Sequence, residues 1–138
     1  MLNPDTPLRT AYVELGNTIV PTFEAGIPKF ITPIPETYIL ITNQTKTQTE
    51  VCKDGNEWLC TVTIDINQVR QLGFYGSEDV DQIEQQIMTI IENDLLVVAG
   101  FIVKSADLIL SQPLVASDST KTITRKVLTY QHWLNNVD

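Results

Sequence analysis

From Trp58 to Asn67 apolar and polar positions alternate without a fault. Trp58, Cys60, Val62, Ile64 and Ile66 fall on one side, and Leu59, Thr61, Thr63, Asp65 and Asn67 on the other. A period of two marks a strand with one buried face. The Asp54-Gly55 step just before it takes the positive φ angles of a tight turn most easily, so the pattern predicts a hairpin from Thr37 to Gln68 whose first strand ends at Cys52. Setting β-branched residues against the apolar row predicts Thr49 opposite Cys60, Thr47 opposite Val62 and Thr45 opposite Ile64. A slip by one would bring Glu50, Gln48 and Lys46 there instead and turn every side chain to the other face. The chosen register puts Cys52 and Cys60 on opposite faces, where they do not form a disulfide. Tyr38 to Ile41 is apolar on both sides, so the base of the hairpin is expected to be covered on both faces. The Thr-, Gln- and Lys-rich part, about 42–56, is expected to project as an arm.

The rest of the chain supplies what packs on that hairpin. Thr6 and Pro7 read as cap and first residue of a helix over about 6–16, with Leu8, Ala11, Tyr12 and Leu15 on one face and Gly16 as its left-handed stop. Prolines at 21, 28, 33 and 35 leave room only for a short edge strand around Ile19 to Glu24. Ser77, as a cap, opens an amphipathic helix with Val80, Ile83, Ile87, Ile90 and Ile91 in one stripe. Leu95 to Leu110 reads as a strand with a bend at Gly100, Ser111 to Ser119 as a loop around Pro113, and Thr120 to Leu134 as a last strand. In that strand Ile123, Val127 and Trp133 alternate against Thr124, Lys126 and Tyr130. The order helix, strand, hairpin, helix, hairpin predicts an α+β fold: an antiparallel sheet of two hairpins plus a short edge strand, with two helices packed on it.

Composition narrows the function more than the fold. A chain of 138 residues is one domain of ordinary size, residues 1–138. With 43% hydrophobic and 19% charged residues it is of the folded, globular type. Nine basic residues against 17 acidic ones give a net charge of −8, which argues against phosphate-backbone binding as the main task. The first residues lack the positive start and apolar run of a secretory signal, and no apolar stretch reaches the roughly 18 residues of a membrane span. The expected setting is a cytoplasm, with Cys52 and Cys60 as reduced thiols.

Chemistry-bearing residues are sparse. His132 is the single histidine and reads as a surface or packing residue, since two separated thiols give it no metal set. Neither a glycine-rich phosphate loop nor a serine elbow occurs. Glu78, Asp79, Asp81 and Glu84 read as the solvated face of a helix, and Trp58 and Trp133 as core or interface aromatics. Lys121, Arg125 and Lys126 read as an edge-strand guard against aggregation or as a contact to an acidic neighbour. No catalytic, cofactor or metal site is expected, and the chain does not read as an enzyme. The candidate contact residues are polar ones of the arm, Gln44, Lys46, Gln48, Glu50, Lys53, Asp54 and Asn56, with Lys121, Arg125 and Lys126.

Residues 33–41, Pro-Ile-Pro-Glu-Thr-Tyr-Ile-Leu-Ile, lead into the hairpin and are followed by Thr61-Val62-Thr63-Ile64-Asp65-Ile66, an acidic amphipathic helix and a closing β pair. This order resembles the tail-completion or tail-terminator proteins of tailed bacteriophages over nearly the whole chain. The resemblance implies a virion structural protein of the neck or tail, assembled in the host cytoplasm, that forms a homo-oligomeric ring at the head-tail junction or tail end. Its implied partners are copies of itself and other connector or tail proteins, with DNA only as passing channel content, no cofactor and no membrane. A long polar-tipped hairpin suits such an arm, and an acidic channel lining lets DNA slide. Two other readings stand beside it: a small cytoplasmic module that captures extended peptides on a sheet edge, and, weakest, an enzyme using Cys60 or His132.

Overall fold

A computed structural model describes residues 3–48, 57–73 and 76–137. The elements are α1 (Asp5–Asn17), β1 (Thr22–Glu24), β2 (Thr37–Gln48), β3 (Glu57–Gln71), α2 (Glu78–Glu92), β4 (Phe101–Ser117) and β5 (Lys121–Asn136). The five strands form one sheet in the order β1-β2-β3-β5-β4. The fold is α+β, but the sheet is mixed and not purely antiparallel: β1 runs parallel to β2, Thr22 beside Ile39 and Glu24 beside Ile41, because the 25–36 connection carries the chain back to the start of β2.

Both helices lie on one face of this sheet. Cys60, Val62, Ile64 and Ile66 of β3 are buried there, as their alternation predicts, with Ile39 and Ile41 of β2 and Leu128, Tyr130 and Leu134 of β5 beside them. From above, α1 contributes Leu8, Ala11, Tyr12 and Leu15, and α2 contributes Val80, Ile83, Ile87 and Ile91, with Ile90 half-buried at the margin. Each such side chain is worth about 1.5–3 kcal/mol in transfer from water before ordering costs are subtracted.

The hairpin register differs from the predicted one. Ile39 and Ile41 face Ile66 and Ile64; then, past a bulge at Thr42, Gln44 faces Val62, Lys46 faces Cys60 and Gln48 faces Trp58. The apolar rungs at the base set the pairing, so the polar residues that looked unfavourable opposite the apolar row do stand there. They are tolerated because α1 and the residue before its cap give them partners: Gln44 Nε2 donates to the Asp5 carbonyl at 2.9 Å, Arg9 donates to Gln44 Oε1 at 3.0 Å, and Lys46 donates to Asn3 at 2.9 Å and to the Asp5 carboxylate. The predicted Asp54-Gly55 turn, Cys52 and the tip of the arm lie outside the described residues. Over 42–48 the strand does not stand out as an arm, since β3 is paired on its other side with β5 as far as Glu57 opposite Asn135.

Further corrections concern caps and the closing hairpin. Pro4 takes the N-cap position of α1, and Asn3 Oδ1 accepts from the Asp5 N–H at 3.0 Å, so Thr6 is not the cap and Pro7 lies within the first turn, where no donor is missed. Gly16 does not end α1 in a left-handed turn; it sits inside the last turn because a Cβ there would come 2.3 Å from Thr22 Oγ1 of β1. Ser77 precedes α2 but makes no side-chain cap; its hydroxyl donates to Asp81 at 3.2 Å. The predicted loop at Ser111 to Ser119 is strand as far as Ser117, Pro113 being tolerated because β4 is an edge. In β5 the buried row is Thr122, Thr124, Leu128, Tyr130, His132 and Leu134, so Ile123, Val127 and Trp133 point to the face away from the helices.

Candidate interaction surfaces

The sheet has one face without helices. By register it carries Tyr38 and Leu40 of β2, Leu59, Thr61 and Thr63 of β3, Val127, Thr129 and Trp133 of β5, and Leu110 and Leu114 of β4. Tyr38 and Leu40 are therefore only half-buried, and the base of the hairpin is covered on one face. Threonine hydroxyls pair across the strands, Thr45 with Thr61 and Thr63 with Thr129. At its centre the carboxylate of Asp65, 5% exposed, receives Arg125 Nη2 at 2.7 Å and Nε at 3.2 Å, a two-pronged pair that raises the Arg125 pKa chiefly through the hydrogen bond to Asp65.

Four of the six predicted contact residues among the described residues have tasks within the chain. Gln44 and Lys46 hold the start of α1, Arg125 neutralises Asp65, and Lys126 donates to Asp81 at 2.7 Å and reaches Glu84 at 2.9 Å. The hydrogen bond to Asp81 raises the Lys126 pKa and lowers that of Asp81. With Arg70 paired to Asp79, three of the four acids that read as solvated, Asp79, Asp81 and Glu84, pin the helix to the sheet, while Glu78 is exposed as expected. Because β5 lies between β3 and β4, Arg125 and Lys126 are no edge guard. Gln48 and Lys121 are exposed, the latter lining an open groove of about 950 Å³ with Ile34, Tyr38, Val69, Arg70 and Ile123. Glu50, Lys53, Asp54 and Asn56 lie outside the described residues.

His132 is a packing residue, wholly buried in the strand's inner row. Its Nδ1–H donates to the Cys60 carbonyl at 3.1 Å, which leaves Nε2 to accept the hydroxyl hydrogen of Tyr12 from α1. The Tyr130 ring lies nearby, tilted, 6.5 Å between centroids. Burial depresses the His132 pKa to about 4, raises Tyr12 well above its usual range and pushes Tyr130 up to about 12. Cys60 is buried too, its thiol pushed up to about 11 by desolvation, which makes it a poor nucleophile. Among the described residues no group of His, Cys, Asp and Glu is placed to hold a metal ion, and no helix is long and apolar enough to cross a membrane.

What the sequence reading missed is the apolar margin. Ile102, Ile109, Leu110, Leu114 and Val115 of β4 are all exposed, and Phe30 and Ile34 are exposed on the 25–36 connection. Part of β4 was hidden behind Pro113, which suggested a loop. Its exposed leucines and isoleucines are the visible signal once the strand is known to be an edge. Comparison with models of known protein families and with curated proteins gives no match for this chain.

Proposed function

We propose that this chain is a virion structural protein that assembles with copies of itself into a ring at the head-tail junction or tail end of a tailed bacteriophage, where it offers a docking surface to connector or tail components. The observation that carries the assembly is the one-sided burial: two helices cover one face of the sheet, while the other face and the β4 edge keep large apolar side chains in water. The element order on which the phage resemblance rests is also that of the fold. Acidic side chains across the helical side suit a body past which DNA slides. Negative-stain electron microscopy with native mass spectrometry tests this reading. One closed oligomer of fixed copy number is expected; a monomer at every attainable concentration overturns it.

A peptide-binding module is the second reading, favoured by one observation. β1 pairs with β2 only along Ile39 to Ile41, so no strand lies along the outer edge of β2 from Asn43 to Gln48 among the described residues. An extended peptide could add there. Protection of the β2 amides by added peptides, in a chain that stays monomeric, would favour this reading over the ring.

A further inference from the structure

We infer that copies of this chain meet head to tail, the β4 edge of one subunit packing on the Phe30 part of the next subunit's 25–36 connection; this rests on the assembly proposed above. Of the large apolar side chains exposed among the described residues, five lie on β4 and two on the connection, with Leu72, Leu95, Val97 and Val137 elsewhere. On β4, Ile109 is 53% exposed and Leu110 51%, with Leu114 37% exposed on the same face as Leu110; on the connection, Phe30 is 84% exposed. The connection leaves β1 at one end of the sheet order and β4 closes the other, four strand spacings or about 19 Å away, whereas Ile34 lies farther in, in the groove with Tyr38, Val69 and Ile123, so Phe30 carries that patch.

The contact is one of side chains and not of added strands. Register shifts at Lys104 and Ile109 and the missing N–H of Pro113 interrupt the outer edge of β4, which is how edges are kept from pairing with their own kind. Charge then decides which patch meets which. Asp107 is exposed among the β4 apolar residues and Lys29 is exposed beside Phe30, and neither forms an ion pair among the described residues. A β4-to-β4 contact sets Asp107 against Asp107, and a contact between two connections sets Lys29 against Lys29. Head to tail, unlike charges meet, which matters in a chain whose net charge is −8. A patch that meets a different patch leaves both partners with one surface free, and a series of such contacts closes into a ring.

Two variants test this, Leu110→Glu and Phe30→Glu, both at exposed positions where circular dichroism should show an unchanged fold. Each alone should be monomeric, its self-association weakened about tenfold or more. Mixed in equal amounts they should form a dimer and nothing larger, because each keeps the surface the other lacks. If wild-type protein forms the ring and Phe30→Glu alone forms it equally well, the head-to-tail contact is wrong while the ring stands on another surface. A mixture that stays monomeric also overturns it, and a monomeric wild type overturns ring and contact together.

Discussion

The two faces of this sheet are built from the same strands, yet they differ in what they ask of the rest of the molecule. On the helical face the residues of β3 and β5 are sealed by α1 and α2, and His132 there has partners inside the chain in Tyr12 and Cys60, as Lys126 has in Asp81 and Glu84. On the other face half-buried threonine, leucine and tryptophan side chains shield only one another. Charge follows the same division. The helices carry Asp5, Glu14, Glu78, Asp79, Asp81, Glu84 and Glu92, whereas the acids of the uncovered face are Asp107, Asp65 bound to Arg125 and Glu57 bound to Lys104. The helical face is where the chain holds itself together, and the face of low charge, with its margins, is where another molecule approaches at least electrostatic cost.

Substitutions sharpen the contrast, beginning with the largest effect. Ile64→Ala removes a wholly buried side chain under the helices and should destabilise by about 2–5 kcal/mol in urea titration, whereas Leu110→Ala should change monomer stability by no more than about 0.5 kcal/mol. Equal losses at both positions would erase the distinction between the faces. Acid should attack the helical face next. His132 falls from 6.5 to about 4 on folding, so the unfolded chain binds the extra proton between those values. Stability is then complete above pH 6.5 and declines by about 3 kcal/mol as pH falls to about 4. In His132→Gln that part of the slope should vanish.

The one buried charge pair of the uncovered face gives a smaller effect. Arg125→Met leaves the Asp65 carboxylate buried without its partner, and a loss of about 2–3 kcal/mol is expected, discounted for the partial exposure of the arginine. Asp65→Asn in the same chain should recover part of it. Smallest is Gly16→Ala, where helix propensity gains oppose the clash with Thr22 and leave a net loss of about 1–2 kcal/mol; Thr22→Ala should relieve it.

Much of this was legible in the sequence where a strand keeps its period. β3 has no bulge and its buried row was read directly. β2 and β4 do have bulges, at Thr42, Lys104 and Ile109, and each one moves the buried set from odd to even positions or back. That is why the hairpin register escapes the sequence: turn chemistry and β-branched pairs favour one pairing, while the Ile39 and Ile41 rungs and the bulge at Thr42 impose another. In β5 the inner row contains Thr122, Thr124 and His132, polar residues that disguise a buried face until their surroundings are known. Four of the polar contact residues, Gln44, Lys46, Arg125 and Lys126, bind α1, α2 or Asp65, while the exposed apolar margin lies partly in a segment that reads as strand, Ile102 to Leu110, and partly in one that reads as loop, Leu114 and Val115. Polarity marks exposure in a sequence; it does not say which polar groups already have a partner within the fold.

Side-chain footprinting by hydroxyl radicals across a concentration series tests the division of labour most directly. Labelling of Phe30, Leu110 and Leu114 should fall as protein concentration rises, while Tyr12, Ile87 and Leu128 stay protected throughout. Labelling of the first three that is independent of concentration, with no oligomer formed, would contradict the assignment of that margin to a second copy.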